Sequence, residues 1–250
     1  MDLITAGTAL ASFVVGKGAK AQLQTFDDLW YLVFNPISQM ADKKRVENEL
    51  NINDYRNTLG KMLLDIPEEN LQDPQLSIVG PALEASKYYI EEEELREMFA
   101  KVIASSMDNR IAESVHHSFV EIIKQLSPRD AKNISEFKGK NNSPIVNYTA
   151  RKITGESYEM LRPLVFSPLG SYNIEERDFS SISNLIRLGL LNFTFERYLY
   201  NCDFYYEFYR DNPLFHEIND SINKDDSNLE VNNGALSITP LGKEFIKVCL

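Results

Sequence analysis

The chain has 250 residues, enough for one large domain or two smaller ones with cores of their own. Its hydrophobic content of 43% and charged content of 25% are those of a globular protein. The formal net charge of −11 is spread over both halves, with 12 basic and 20 acidic residues up to position 125 and 14 and 17 after it. Neither half carries the basic excess that drives nucleic-acid binding through counterion release. The densest basic cluster, Lys43-Lys44-Arg45, is flanked by Asp42, Glu47 and Glu49. Nucleic acid is therefore a disfavoured partner. Cys202 and Cys249 show no metal-ligand spacing, and His116, His117 and His216 cannot assemble a histidine-rich site. Two scattered thiols fit a reducing, cytoplasmic setting.

Leu3 to Val15 is an apolar run rich in small residues, followed by Ala19-Lys20-Ala21, which mimics a signal-peptidase site. Asp2 stands where a basic flank would be, and Lys17 follows the run, so a cleaved signal is disfavoured. The run is also shorter than the roughly 20 residues a membrane span requires. It reads as a buried or self-associating helix, with Leu3, Gly7, Leu10 and Val14 on one face. Thr25 with Asp28 has the capping-box spacing and predicts a helix start ahead of Leu29 to Phe34. A polar helix to about Leu50 and another from about Asp54 to Leu64 follow, then a loop bracketed by Ile66-Pro67 and Asp73-Pro74.

The strongest helical signal spans about Glu92 to Met107, where Leu95, Met98, Phe99, Val102, Ile103 and Met107 form a continuous stripe. Glu91 to Glu94 lie at its first turn, where the positive end of the helix dipole favours them. Consecutive residues point around a helix rather than at one ion, so this quartet reads as a solvated cap and not as a metal site. Ser127-Pro128-Arg129-Asp130 opens a further helix to about Lys138 and marks a domain boundary near Leu126. The expected organisation is a helical domain over 1–126 and a winged-helix-like domain over 127–250 with an aromatic β-wing and a polar insertion, since a helix, Arg187-Leu188-Gly189-Leu190-Leu191, strands, then Ile238-Thr239-Pro240-Leu241-Gly242 and a helix are similar to the end of many winged-helix domains. The expected fold class is predominantly α, with an α+β C-terminal region.

In that second region, Phe179, Ile182, Leu185 and Ile186 predict a helix over Asp178 to Leu188, ended by Gly189, with a strand opening at Leu190-Leu191. Residues 193 to 209 carry nine aromatic side chains and read as β structure turning near Asn201 to Asp203. Asp211 to Asn228 reads as a polar loop. Asn232-Asn233-Gly234 between Leu229–Val231 and Leu236–Thr239 reads as a hairpin turn, and Thr239-Pro240 caps a last helix.

The candidate chemistry is sparse. Ser118 lies two residues from His116, but triads converge in space and no third group is identifiable by spacing. The local alternative is Ser118 as the N-cap of a helix, with Glu121 completing a capping box. Glu84 is a lone acid early in a helix. No phosphate-cradling glycine loop or paired-cysteine zinc motif occurs. No catalytic, cofactor-binding or metal-binding residues are assigned, no cofactor is expected, and the chain is not read as an enzyme. Ser180, Ser181, Ser183, Asn184 and Arg187 on the helix after Glu175-Glu176 could meet DNA or a protein partner, although the acids oppose phosphate.

The central run carries a resemblance. Gly80-Pro81-Ala82-Leu83-Glu84-Ala85 is followed by Glu93-Glu94-Leu95-Arg96-Glu97-Met98-Phe99-Ala100, then by Ala104 to Asp108. His116, Ser118 to Pro128, Asp130-Ala131 and the ending Thr239-Pro240-Leu241-Gly242 with Phe245 and Cys249 complete the pattern. Over about residues 50 to 250 this resembles the abortive-infection alpha family of bacteria, with His117 standing where members usually show proline. The resemblance implies defence against phage at the expense of the infected cell and supplies no catalytic residues. The reading is an anti-phage protein working through protein contacts, with a protein partner or a homodimer held by residues 1 to 40. A DNA-binding regulator using Asp178 to Leu188 and a membrane-perturbing effector using the N-terminal apolar segment are the alternatives.

Overall fold

The structure is a computed structural model and describes residues 17–34, 42–155, 157–168, 174–197, 199 and 203–250. The run Leu3 to Val15, Asn35-Pro36 and Cys202 lie outside the described residues. The chain forms two compact units, one of residues up to Pro128 together with Lys247–Leu250, the other of Arg129–Ile246.

The first unit is helical, with α1 (Lys17–Phe34), α2 (Asp42–Leu64), α3 (Leu76–Ser86), α4 (Glu93–Ser106) and α5 (Ser118–Ile123). In α1, Leu23, Phe26, Trp30 and Phe34 recur at helical spacing and are all buried. Trp30 stacks on Phe34 at 4.3 Å and lies 5.3 Å from the Tyr55 ring of α2. The Arg56 guanidinium sits 5.6 Å above the Trp30 ring and donates to Asp27 Oδ1 at 2.9 Å. Thr25 is therefore mid-helix and not a cap, and its hydroxyl donates back to Ala21 O at 3.1 Å. The apolar stripe begins at Ala19, ahead of the capping-box pattern, and carries the helix through it. One helix, α2, likewise replaces the two expected, because Ile52, Tyr55, Leu59 and Leu63 form one buried face across Asn51 to Asp54.

Helix α4 is the centre of this unit and packs against α2, α3 and α5. Its expected stripe of Leu95, Met98, Phe99, Val102, Ile103 and Met107 is buried throughout. Arg96 shares that burial because its charge is matched. It donates to Ile90 O at 2.7 Å and to Asp54 Oδ2 at 2.8 Å, joining α4 to α2. The last residues of the chain close on the same unit, with Ser105 Oγ donating to Val248 O at 3.1 Å and Lys101 Nζ donating to Leu250 O.

The second unit overturns the expected fold class. Among the described residues the protein is mixed α+β and not predominantly α. A four-stranded antiparallel sheet runs in the order β2-β1-β4-β3, with β1 at Asn142–Lys152, β2 at Tyr158–Val165, β3 at Leu191–Thr194 and β4 at Ser227–Ile238. β1 pairs with β4 along its whole length, from Asn142 opposite Ser237 to Lys152 opposite Ser227. The first two strands escape sequence reading because Asn, Ser and Pro interrupt their alternation, and β2 is also bulged against β1. At that irregularity Leu164 has φ 52°, and its N–H is taken up by Asn147 Oδ1 at 2.9 Å.

The Asn232-Asn233-Gly234 segment is interior to β4, opposite Asn147 to Ile145, and not a hairpin turn. Its glycine answers a close approach: a Cβ on Gly234 would lie 2.6 Å from the Phe195 ring and 2.7 Å from Thr194 O. Two helices, α8 (Asp203–Phe208) and α9 (Pro213–Ser221), occupy the segments read as strand and loop. Asn212 caps α9 by accepting from Phe215 N–H at 3.0 Å, with Pro213 at the first helical position. Together with the sheet they bury Tyr148, Tyr206 and Tyr209 in one core with Val146, Val165 and Ile218. Each phenol is spent on the backbone: Tyr148 donates to Tyr209 O at 2.7 Å, Tyr206 to Gly234 O at 2.6 Å and Tyr209 to Pro144 O at 3.3 Å.

Three more helices belong wholly or mainly to this unit: α6 (Pro128–Ser135), α7 (Glu176–Arg187) and α10 (Pro240–Cys249). The chain leaves α7 through Gly189 at φ +74°, the left-handed position that ends a helix. Thr239 then links both ends of the motif: its hydroxyl donates to Gly189 O at 2.6 Å and accepts from Gly242 N–H at 2.9 Å, capping α10.

Candidate functional site

The second unit contains a polar seam between α6 and α7. On α7, Asp178, Ser181 and Asn184 recur every three residues beside the apolar Ile182 and Leu185. On α6, Arg129, Asp130 and Asn133 face them. Arg129 grips the fully buried Asp178 carboxylate with two nitrogens, Nε to Oδ1 at 2.5 Å and Nη2 to Oδ2 at 2.6 Å. Asn133 Nδ2 donates to Asp178 Oδ1 at 2.9 Å and to Ser181 Oγ at 3.0 Å. Asn184 Nδ2 donates to the buried Asp130 Oδ2 at 3.1 Å, while its Oδ1 accepts from Arg187 Nη2 at 2.8 Å. Hydrogen bonding to Asp178 holds the Arg129 guanidinium protonated even above its ordinary range, against a smaller opposing effect of burial.

This seam was not read from the sequence, where Arg129 and Asp130 stood only as a helix start. The available signal was the three-residue repeat of polar residues on α7, a spacing that places them on one side of a helix. The seam also decides what α7 displays. Ser181 is buried and Asn184 is engaged with α6, while Ser180 and Ser183 return their hydroxyls to Arg177 O and Phe179 O of their own helix. At the N-terminus, Glu175 lies 3.5 Å from Arg129 and Glu176 lies 3.5 Å from Arg162. The residues singled out as DNA contacts are thus largely committed to the fold.

The serine–histidine candidates lie in the first unit. Ser118 Oγ is 2.7 Å from His116 Nδ1, and the backbone N–H of Ser118 donates to the same nitrogen at 3.1 Å. Nδ1 is therefore an acceptor for both groups, and the imidazole caps the entry to α5. Ser118 is the first residue of α5 and not its N-cap, and Glu121 bonds Lys124 Nζ at 2.9 Å instead of closing a capping box. His117 Nε2 lies 3.1 Å from Ser77 Oγ on α3, an exposed contact. Nothing brings the two histidines onto one serine.

Glu91 to Glu94 sit at the start of α4, at the protein surface, and Glu84 pairs with Lys87. Among the described residues no group of three His, Cys, Asp or Glu side chains is placed to hold a metal ion. His216 is paired with Asp211 at 2.9 Å, and Cys249 is buried, its thiol pushed up by burial. Within the segment expected to hold a homodimer, residues 1 to 40, Trp30 and Phe34 are core residues, whereas Tyr31 beside them is exposed. Lys43 to Arg45 fall within α2, but their side chains lie outside the described residues. No helix among the described residues is long and apolar enough to cross a membrane.

These elements define an α+β protein of two units, in the second of which α7 is clasped by α6 through buried polar groups. The family model described as Abortive infection alpha matches residues 47–249, which reach into both units. The chain belongs to the abortive infection alpha family, and that membership points to abortive-infection defence. No curated protein and no solved structure matches it.

Proposed function

We propose that this protein acts inside the bacterial cytoplasm as an anti-phage defence factor, working through contacts with other proteins and not as an enzyme. The observation that carries the reading is the family match over residues 47–249. The geometry supports it in a second way. The polar groups at the seam between α6 and α7 and the hydroxyls of Tyr148, Tyr206 and Tyr209 are engaged in internal hydrogen bonds, and the serine–histidine pair serves as a local helix entry. What remains at the surface is a set of apolar and charged side chains suited to binding a protein. Phe204, Tyr88, Leu32, Tyr158 and Leu50 are among the large apolar side chains it exposes.

The test is plaque formation by a panel of phages on bacteria with and without the gene, combined with recovery of the protein from infected cells. Reduced plaquing with death of infected cells, and a host or phage protein co-purifying only after infection, is the expected result. Equal plaquing with and without the gene across the panel would overturn the defence reading. Protection with no protein bound, but with a changed metabolite or nucleic acid, would overturn the contact mechanism.

A further inference from the structure

Helix α1 has two faces of different character. The inner face, Leu23, Phe26, Trp30 and Phe34, is buried to saturation. The outer face consists of Lys20, Ala21, Gln24, Thr25, Asp28, Tyr31 and Leu32, all exposed. Tyr31 is 53% and Leu32 is 72% exposed, although both are large apolar groups in the same helix as the aromatic core. Positions 20/21, 24, 28 and 31/32 advance by about 3.7 residues on average, close to the helical repeat, so they form one continuous stripe along the helix.

We propose that this face pairs with the same face of a second copy of the chain, antiparallel, about a two-fold axis through Gln24. The charge pattern selects both the partner and the direction. In an antiparallel pair centred on Gln24, residues equidistant from it meet, so Lys20 of each copy opposes Asp28 of the other. A two-fold interface repeats that pair, as an isologous contact must. Parallel pairing in register would set Lys20 on Lys20 and Asp28 on Asp28, which is repulsive. Gln24 Nε2 already lies 3.4 Å from Asp28 Oδ1 along the seam, orienting the carboxylate within it. Ala21 and Thr25 beside the axis keep the helices close. The pairing does not depend on the defence reading and stands or falls separately from it.

The experiment is light scattering and sedimentation equilibrium on the full chain and three surface variants, with circular dichroism to confirm that each remains folded. The wild-type chain is expected to be a dimer. Lys20→Asp alone and Asp28→Lys alone each place like charges together twice and should weaken dimerisation about tenfold or more. The double variant Lys20→Asp/Asp28→Lys should regain the wild-type constant, because residues 20 and 28 of one helix are two turns apart and can restore each other only between copies. Three results would overturn the proposal. They are a monomer at concentrations on the order of tens of micromolar, a dimer indifferent to both single changes, and a double variant that stays as weak as the singles.

Discussion

Arg129 holds the carboxylate of Asp178 by two hydrogen bonds, and that carboxylate has no exposed surface at all. A buried charge is tolerated only when matched, and breaking such a pair leaves the survivor uncompensated. Arg129→Ala should therefore lower stability by about 3 kcal/mol. Asp178→Asn is expected to cost less, since it removes the charge along with the need for a partner. The double variant should fall well short of the sum of the two. Urea denaturation of all three gives the coupling directly, and additive losses would show that the pair does not act as a unit.

Gly189 and Gly242 make different demands on the same corner. Gly189 needs a left-handed backbone at φ +74°, so Gly189→Ala should cost about 1–2 kcal/mol through backbone strain alone. Gly242 has an ordinary backbone, but a Cβ there would drive into Leu190 O and lie 2.8 Å from an Ile238 side-chain carbon. Because backbone cannot yield as a flexible side chain can, Gly242→Ala should be at least as damaging, about 1–3 kcal/mol. Thermal unfolding of both variants ranks them, and a neutral Gly242→Ala would refute the close approach.

The buried tyrosines give the protein an alkaline limit. Burial pushes the Tyr148 phenol from 10.0 up to about 12, and it raises Tyr55 and Tyr209 further. The folded state thus keeps its phenolic protons where the unfolded chain loses them. The stabilising contribution is complete below about pH 10, declines above it and is lost as the pH passes the folded values. The share of the phenolate absorbance that belongs to these three tyrosines should rise together with loss of far-ultraviolet circular dichroism, and not before it. Tyr148→Phe should flatten the fall of stability with pH above 10, although it also forfeits the bond to Tyr209 O. A freely titrating Tyr148 in the folded protein would contradict the burial.

The helices of the first unit were legible wherever an apolar stripe ran uninterrupted, as in Leu95 to Met107. Their boundaries were not. Thr25 and Asp28 have the right spacing for a cap, yet Ala19 and Leu23 continue the buried face upstream, and burial outweighs a capping preference. The sheet was the larger omission. β1 contains Asn142, Ser143, Pro144 and Asn147, which read as loop until pairing with β4 satisfies their backbone. Asn233-Gly234 has turn chemistry but lies mid-strand, because its glycine is required by Phe195, 39 residues upstream of it in sequence, a contact no local rule anticipates. The seam was invisible for the same reason: Arg129 and Asp178 are 49 positions apart, and only the fold makes them partners.

Helix α7 allows a sharp test of the nucleic-acid alternative. Sequence order puts it where a reading helix would stand, but Asp178, Ser181 and Asn184 are turned onto α6. Its first turn carries Glu176 and Asp178, with Glu175 just before it, and its cations are Arg177 and Arg187, the latter bonded to Asn184. Affinity for a duplex rises as the number of phosphates neutralised, and each contact steepens the salt dependence. Two cations among three acids on a protein of net charge −11 supply little of that term. We therefore expect no binding to random duplex by fluorescence anisotropy even at low salt, where the electrostatic contribution is greatest. Binding that weakens steeply as salt is added, and that disappears in Arg177→Ala/Arg187→Ala with the fold intact, would establish α7 as a nucleic-acid surface after all.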